Sequence, residues 1–373
     1  MTAGFSKLSK EIGIAIVAYK RDRRKTVKYI YEKMKANRSI YLGYYLKQLD
    51  RRQFNLFLDY TSKNTGLSKP TLIRDILSSV FEYNISILEY FQFRFFDLSK
   101  EERALWAGTG YMYEYQLAMN PKTHRQILDD KTLFYKYYGD FLVHTVATIE
   151  DLQQDPEKAN KILHNPSGKL VFKQADGKCG AQVVIKNSSE FDYSGIVAFM
   201  KKGDYGLVEE YIIQHPDINR LSPSAVNTVR IITQINNEGA VDILGCRLRI
   251  SVDSSVDNMA AGNLAAHIDE DTGMVTGPGV YSDITKADEK FHPVTKVKIP
   301  GFQIPFWSET LQMVKNAALR HPQNRSIGWD VVITPKGPGL IEGNHDWCKL
   351  LWQLPVKKGL KLMLKDYVRT YGL

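Results

Sequence analysis

The spacing of apolar residues changes once along this chain of 373 residues, and that change limits the fold more than any other feature. Up to about residue 125, apolar positions recur at helical intervals, as in Leu72, Ile76 and Val80. From about Lys169 onward, short β-branched runs such as residues 229–235 are separated by Gly, Asn and Asp. The pattern therefore predicts an α+β protein with a domain boundary near residue 125.

Composition and cysteine usage restrict the class of protein. With 43% hydrophobic and 24% charged residues, the chain can bury a substantial core. Cys179, Cys246 and Cys348 are widely separated and lack CxxC spacing, so they indicate neither a disulfide framework nor a zinc site. The apolar run from Ile12 to Tyr19 is too short to cross a bilayer, and the residues before it do not form a signal peptide. These features predict a cytoplasmic protein, soluble or peripheral to a membrane.

The positive charge of the chain is concentrated at its start. Between Met1 and Arg52 there are 14 Lys or Arg and 4 Asp or Glu, against a net charge of +9 for the whole chain. Tyrosines are interleaved with these basic residues, as expected of helices that lie on an anionic surface. A peripheral contact with the inner face of a membrane and a merely solvated helical face both remain open. Nucleic acid is a weaker third option and is not expected as a partner.

The segment from Ser326 to Trp347 predicts a β-hairpin. Two alternating stretches flank a turn that is rich in Pro and Gly, at residues 335–339. A turn centred in this segment places Val332 opposite Leu340.

The same register brings polar side chains together. It places Asp330 opposite Glu342, with Asn344 two residues further along the same face. Two carboxylates across a ladder lie about 5 Å apart at Cβ and repel each other unless a cation lies between them. Mg²⁺ takes a few protein oxygen ligands in addition to nucleotide phosphates. These three residues are therefore predicted to hold Mg²⁺, which Mn²⁺ could replace; the alternative is an exposed polar hairpin face.

Residues 170–185 predict a second hairpin, with Gly177 and Gly180 in its loop. Backbone N–H groups of such a loop can bind phosphates, and Lys173 at the end of the first strand supplies a positive charge. The same pattern also fits a hairpin that binds nothing.

Residues 207–217 predict a strand that ends before Pro216 and could lead into a hinge. The backbone groups of Glu210 and Ile212 could meet the edge of an adenine, and Asp217 could accept hydrogen bonds from ribose hydroxyls. The alternative is a strand with a solvated end.

Arg230 interrupts an apolar strand at a position where a buried strand carries an apolar side chain. This strand should pair with residues 241–250, which places Arg247 and Arg249 on the same sheet. A sheet face with several arginines requires anions nearby. The alternative is that Arg247 and Arg249 form the polar face of a half-exposed strand.

In their order along the chain, these segments resemble the ATP-grasp enzymes, and most of all the sugar-transfer associated ATP-grasp family. The resemblance extends from about residue 126 to the C-terminus. Its most specific part is the pair of segments Ser224–Thr233 and Asp330–Asn344, where the order of Asp, Glu and Asn is similar to the family's magnesium ligands.

The resemblance implies an ATP-grasp fold, in which two α+β lobes grip ATP, preceded by a mainly helical N-terminal region. The implied domains are a basic helical domain at 1–125 and an ATP-grasp domain at 126–373, with a nucleotide-covering lobe at 126–208 and a metal and substrate lobe at 209–373.

The resemblance also implies roles for single residues. Lys131 and Lys173 resemble two lysines that hold nucleotide phosphates. The other implied roles are an adenine hinge at Glu209–Ile212, a loop over the triphosphate at Gly177–Gly180, contact with the reacting groups by Arg230 and Arg249, and an acceptor-side loop that contains Asn258 and Gly262. The sequence departs from the family at Gln174, where many relatives have proline.

The implied activity is that of an ATP-dependent ligase, which joins a carboxylate to an amine or hydroxyl through an acyl phosphate. The implied substrates are a small molecule or glycan and an amino acid, in polysaccharide modification. Two alternatives stay open. One is a kinase that phosphorylates a hydroxyl of a sugar-like substrate. The other is a non-catalytic, membrane-associated module in which the basic N-terminal region acts.

Overall fold

The structure is a computed structural model that describes residues 38–174 and 183–369. The chain divides into two compact units between Tyr111 and Met112. Most of the basic segment from Met1 to Arg52 therefore lies outside the described residues. Among the helices of the described ranges, none has the length and hydropathy needed to cross a bilayer.

The first unit is helical where it is described. Its helices are α1 (Arg51–Thr65), α2 (Lys69–Tyr83), α3 (Ile87–Gln92), α4 (Lys100–Ala104) and the start of α5 (Thr109–Met119), and residues 38–47 are also helical. Local sequence sets the helix ends, because Asp50 and Ser68 cap the N-termini of α1 and α2 and Gly66 takes the left-handed conformation after α1. The predicted helical spacing is confirmed in α2, whose Leu72, Ile76 and Val80 are buried.

The second unit contains the strands. Its other helices are α6 (Lys122–Asp129), α7 (Lys131–Tyr138), α8 (Ile149–Gln154), α9 (Pro156–Leu163), α10 (Tyr193–Gly203), α11 (Pro216–Leu221), α12 (Trp307–Arg320), α13 (Lys349–Gln353) and α14 (Lys365–Val368). Its strands are β1 (Val146–Ala147), β2 (Lys169–Lys173), β3 (Val183–Asn187), β4 (Leu207–Glu210), β5 (Thr228–Ile235), β6 (Val241–Ile250), β7 (Leu264–Ile268), β8 (Ser326–Thr334) and β9 (Gly337–Asn344).

The smaller sheet is antiparallel, with the strand order β1-β4-β2-β3. Leu170 and Phe172 of β2 point into an apolar core shared with α8 to α10. Because side chains alternate along a strand, Lys173 lies on the opposite face. The face of this sheet opposite the helical core thus carries a basic residue.

The larger sheet is also antiparallel, with the order β7-β6-β5-β8-β9. One face packs on α12 and forms the main core, which includes Ile231, Leu248 and Trp329. The predicted hairpin is β8 and β9, joined by a turn of two residues, since Thr334 pairs with Gly337. The predicted pairing of the Arg230 strand with residues 241–250 is confirmed as β5 with β6.

The two units divide earlier in the chain than the boundary near residue 125 that the apolar pattern indicated. Helix α5 and the residues after it contact the strands of the second unit, because the Tyr115 hydroxyl donates to Gln234 and Asn120 Nδ2 donates to the Ser326 carbonyl at 2.8 Å. Helical spacing reveals an apolar face and not the partner of that face.

Candidate active site

One face of the large sheet carries charged side chains. Directly paired residues of antiparallel strands point to the same face. The pairing aligns Arg247 of β6, Arg230 of β5, Asp330 of β8 and Glu342 of β9 in one row across four strands. The predicted pairing of Asp330 with Glu342 is confirmed. The charged row lies on the sheet face opposite the main apolar core.

The predicted pairing of Val332 with Leu340 is wrong, because Leu340 lies opposite Val331. The two-residue turn shifts the register by one position near the end of the hairpin. A β-bulge between Asp330 and Val331 reverses that shift. The bulge therefore places Asp330 opposite Glu342.

Asp330 is the centre of a buried ion network. The Arg230 Nε donates to Asp330 Oδ1 at 2.5 Å and Arg230 Nη2 donates to Oδ2 at 2.8 Å. Arg249 Nη1 donates to the same Oδ2 at 2.8 Å. The three side chains are only 3–12% exposed. Both carboxylate oxygens of Asp330 thus accept charge-assisted hydrogen bonds from guanidinium groups.

The network continues to the loop after β6. Arg249 Nη2 lies 2.6 Å from Asp257 Oδ1, and Asp257 Oδ2 accepts hydrogen bonds from the backbone and hydroxyl of Thr228 at 2.8 and 2.6 Å. Burial raises the pKa of Asp257, and the negative charge of Asp330 adds to this effect although Arg249 opposes it. Arg249 is therefore held between two carboxylates from different elements.

The two carboxylates of the row have opposite pKa shifts. Burial disfavours the charged form of Asp330, but the charges of Arg230 and Arg249 outweigh it and hold the pKa of Asp330 far below its usual range. Partial desolvation and the charge of Asp330 raise the pKa of Glu342. Glu342 is accessible to solvent, so we consider the charge of Asp330 the main cause. Within the described ranges, Glu342 thus lies beside Asp330 without a direct ion pair to a basic side chain.

The donors at this face fit a small divalent cation. Among the described residues, Glu342 has no ion pair, and its Oε1 accepts only a long hydrogen bond of 3.3 Å from Asn344 Nδ2. Within the described ranges, no group of three His, Cys, Asp or Glu could hold a metal. A cation here would therefore need Asp330, Glu342, the Asn344 carbonyl oxygen and oxygens from another molecule, which is the ligand set that Mg²⁺ prefers.

The face of the small sheet opposite its helical core carries a second ion pair. Lys173 Nζ donates to Glu209 Oε2 at 2.6 Å, and His144 Nε2 lies 3.3 Å from the same oxygen. Burial opposes the ionisation of Glu209, but the charge of Lys173 and the hydrogen bond from His144 outweigh it and lower the pKa of Glu209 to about 2. Lys173 and Glu209 are therefore direct partners. The sequence prediction had assigned Lys173 to phosphate binding and Glu209 to the adenine hinge, without a contact between them.

The segment after β4 has the geometry of a strand end. The Glu210 N–H donates to the Thr145 carbonyl at 3.0 Å, so it is not available to a ligand. Within the described part of the chain, no backbone hydrogen bond uses the N–H of Ile212. Asp217 is 52% exposed and lies in α11, 3.4 Å from Arg220. Of the predicted hinge groups, the Glu210 carbonyl and the Ile212 N–H could meet a base edge.

The other predicted residues lie in loops and at helix ends. Lys131 is the first residue of α7, directly after the capping residue Asp130. Asn258 caps a short 3₁₀ helix (Met259–Ala261) that ends at Gly262 in the left-handed conformation. Gly177 and Gly180 lie outside the described residues. Within the described ranges, no hydrogen bond or ion pair joins the Lys173–Glu209 pair to the Asp330 network.

Sequence reasoning missed two participants and left the burial of a third open. Asp257 and His144 contact predicted residues, but a single acid or histidine in a loop gives no signal by its spacing. Arg247 was noticed, yet the half-exposed alternative for its strand is wrong, because Arg247 is 1% exposed. Its guanidinium donates to the Trp352 carbonyl at 3.0 and 2.6 Å and so holds the C-terminal segment on the sheet.

A family model described as sugar-transfer associated ATP-grasp matches residues 111–368. The chain belongs to the sugar-transfer associated ATP-grasp family. No curated protein matches the sequence.

Solved structures with a related chain trace have low identity. One is the ADP complex of N5-carboxyaminoimidazole ribonucleotide synthetase, with 9% identity, a TM-score of 0.35 and coverage of 59% of this chain and 45% of that chain. Another is the ATP-grasp ligase PsnB with a minimal precursor, with 12% identity, a TM-score of 0.39 and coverage of 74% and 72%. An L-amino acid ligase from Bacillus licheniformis has 12% identity, a TM-score of 0.38 and coverage of 66% and 49%. This chain thus spans less than half of the first and third structures.

Proposed function

We propose that this protein is an ATP- and Mg²⁺-dependent ligase that joins a carboxylate to an amine and forms ADP. The observation that carries the proposal is the meeting of two guanidinium groups and three oxygen donors on one sheet face: Arg230, Arg249, Asp330, Glu342 and Asn344. Such a face suits a reaction in which several anions meet around a cation.

Asp330, Glu342 and Asn344 would hold Mg²⁺. The ion would neutralise the charge that develops on the phosphate oxygens during phosphoryl transfer. Mn²⁺ offers the same coordination chemistry with oxygen ligands.

The nucleotide would be held by residues of both sheets. Lys131 and Lys173 would bind phosphates. To do so, Lys173 would give up its hydrogen bond to Glu209 and donate to a phosphate oxygen instead. The Glu210 carbonyl and the Ile212 N–H would meet the adenine. The remaining nucleotide contacts in this proposal are Asp217 with the ribose and the segment Gly177–Gly180 with the triphosphate.

The reaction would proceed in two displacements. A substrate carboxylate oxygen attacks the γ-phosphorus of ATP, and the bond from this phosphorus to the bridging oxygen breaks. ADP departs, and the substrate becomes an acyl phosphate. The amine nitrogen then attacks the carbonyl carbon, the bond to phosphate breaks, and the amine proton passes to solvent. Arg230 and Arg249 would neutralise first the carboxylate and then the oxyanion, with Asn258 on the acceptor side.

The family description supports a substrate that takes part in sugar transfer. One reactant would be a glycan, a sugar nucleotide or a lipid-linked saccharide, and the other an amino acid, in polysaccharide modification. Release of ADP across a panel of carboxylate and amine pairs would identify the reactants.

The basic segment Met1–Arg52 would bring the enzyme to the cytoplasmic face of a membrane. Each Lys or Arg close to an anionic leaflet adds about 1 kcal/mol of attraction. Flotation with anionic liposomes at low and physiological salt should show salt-sensitive binding for the full chain and weaker binding for a chain that lacks residues 1–52. Equal, negligible binding of both would remove this part of the proposal.

Trapping with hydroxylamine tests the reaction class. An acyl phosphate gives a hydroxamate together with ADP, whereas a kinase gives ADP and a phosphorylated hydroxyl without hydroxamate. ADP formation without hydroxamate, for an active substrate pair, would overturn the ligase proposal in favour of the kinase. Absence of ADP formation with every pair would favour the non-catalytic module.

A further inference from the structure

A recess lies beside the end of β9, on the side of helices α5 and α6. Its volume is about 290 Å³, which is close to the lower end of the range for small-molecule sites. Tyr113 and Gln116 of α5, Arg125 and Asp129 of α6, and Asp346 line it, together with His345 and Leu117. His345, which directly follows the predicted metal ligand Asn344 in the chain, is one of the lining residues.

The wall of the recess is fixed by hydrogen bonds. Gln116 Nε2 donates to the Trp347 carbonyl at 2.8 Å, and Asn120 Nδ2 donates to the His345 carbonyl at 3.0 Å. His345 Nε2 lies 2.9 Å from Asp129 Oδ1 and so ties the segment after β9 to α6. Helices and strand end are thus held in one arrangement before any ligand binds, which reduces the entropy cost of binding.

Opposite charges line this recess without neutralising each other. Among the described residues, neither Arg125 nor Asp346 has a hydrogen bond or ion pair through its side chain. Asp129 also lines the recess, but its carboxylate is already engaged, with His345 as one of its partners. A recess that presents a guanidinium on α6 and a carboxylate in the segment after β9 is complementary to a small molecule with both charges.

We propose that this recess binds a free α-amino acid, the amine reactant of the proposed ligase. Arg125 would bind its carboxylate, with the planar fork that suits this group, and Asp346 would bind its ammonium group. The volume of the recess is sufficient for a free amino acid. This inference rests on the proposed function, because that function requires an amine.

Ligand-observed NMR on the full chain, with Mg²⁺ and a non-hydrolysable ATP analogue, provides the test. The probes are the twenty standard amino acids, followed by the N-acetyl derivative and the methyl ester of each binder. At least one free amino acid should bind, and removal of either charge should weaken its binding about tenfold, as expected for a charge-assisted hydrogen bond.

Two variants assign each charge to a residue. In Arg125→Gln, the methyl ester should bind as well as the free acid; in Asp346→Asn, the N-acetyl derivative should bind as well as the free amine. Lys122→Gln is the matched control, because Lys122 is exposed on α6 and does not line the recess. Absence of binding by all twenty amino acids, or unchanged discrimination in both variants, would overturn the assignment.

The assignment and the proposed function can fail separately. If the amino acid binds as described but no substrate pair releases ADP, the ligase proposal fails and the binding site stands. If ADP is released and the KM for the amine is the same in wild type, Arg125→Gln and Asp346→Asn, the recess is not the amine site and the ligase proposal stands.

Discussion

Replacement of Glu342 by glutamine should have opposite effects on the metal-free and the nucleotide-bound protein. The change removes a negative charge and keeps the side-chain shape. In the metal-free protein it removes the repulsion of Asp330, which lies directly opposite. With Mg²⁺ and nucleotide it removes a proposed anionic ligand, which should weaken binding about tenfold or more.

The two effects differ in size. Like charges directly across a ladder cost about 0.2–1 kcal/mol, and the lower end applies because Glu342 is accessible to solvent. Ligand at 100 times its Kd stabilises a protein by about 2.7 kcal/mol, and a tenfold weaker Kd reduces this to about 1.4 kcal/mol. At about 2–4 °C per kcal/mol, the nucleotide-induced rise in Tm should be smaller by roughly 3–5 °C in Glu342→Gln.

The pH dependence follows from the raised pKa of Glu342. A carboxyl group whose pKa is higher in the folded state contributes stability below its unfolded pKa, and that stability is lost as the pH rises through the folded value. Metal-free wild type should therefore lose a small amount of stability as the pH rises above about 4.5, and Glu342→Gln should lack this component.

Thermal unfolding of wild type and Glu342→Gln, with and without Mg²⁺ and a non-hydrolysable ATP analogue, measures both effects. Glu238→Gln is the matched control, because Glu238 is an exposed acid in the turn after β5. An equal nucleotide-induced rise in Tm for wild type and Glu342→Gln would refute Glu342 as a metal ligand.

Three other changes test the ion pairs. Arg230→Met should lower the unfolding free energy by about 3 kcal/mol, because it leaves buried Asp330 without the side chain that donates two hydrogen bonds to it. In denaturant titrations, added Mg²⁺ should recover part of this loss. An equal effect of Mg²⁺ on the unfolding free energy of wild type would contradict competition between Arg230 and the metal for Asp330. Lys173→Ala should lower the unfolding free energy by about 3 kcal/mol and weaken nucleotide binding, because it leaves the buried carboxylate of Glu209 without its partner. Lys169→Ala on the same strand is the control and should change the unfolding free energy by less than about 0.5 kcal/mol. The unfolding free energy of wild type should fall by about 3 kcal/mol as the pH falls from about 4.5 to about 2, because Glu209 becomes protonated over this range. Urea unfolding of Glu209→Gln should show a smaller loss. Equal pH profiles of the two proteins would exclude this ion pair as the source of the loss.

The position of Asp330 opposite Glu342 was predictable from the sequence, although the turn length assumed for the hairpin was wrong. Alternation and the Pro-Gly turn identify a hairpin, and the charges identify the face. The turn is shorter than assumed, and a bulge compensates for the difference. Neither the turn length nor the bulge has a signal in the alternation, so the neighbouring pair of Val332 with Leu340 was wrong.

The partners of the predicted residues were not predictable. Arg230 and Lys173 stand out because they interrupt or end apolar strands, but their partners Asp330 and Glu209 are 100 and 36 residues away. Such pairs depend on which strands become neighbours in each sheet. The same holds for the recess beside β9, whose lining comes from α5, α6 and the segment after β9.

The bonds of Arg230 and Arg249 to Asp330 would make binding of the proposed metal an exchange of cations. A divalent ion that takes both oxygens of Asp330 displaces two singly charged guanidinium groups, so the positive charge around this carboxylate stays the same. The displaced charges remain at the sheet face, because strands β5 and β6 fix their backbones. Loss of Asp330 as a partner would leave the Arg230 guanidinium able to bind an anion, while Arg249 would keep its contact with Asp257. An anionic substrate at Arg230 would then raise the affinity for the metal by the same factor by which the metal raises the affinity for that substrate.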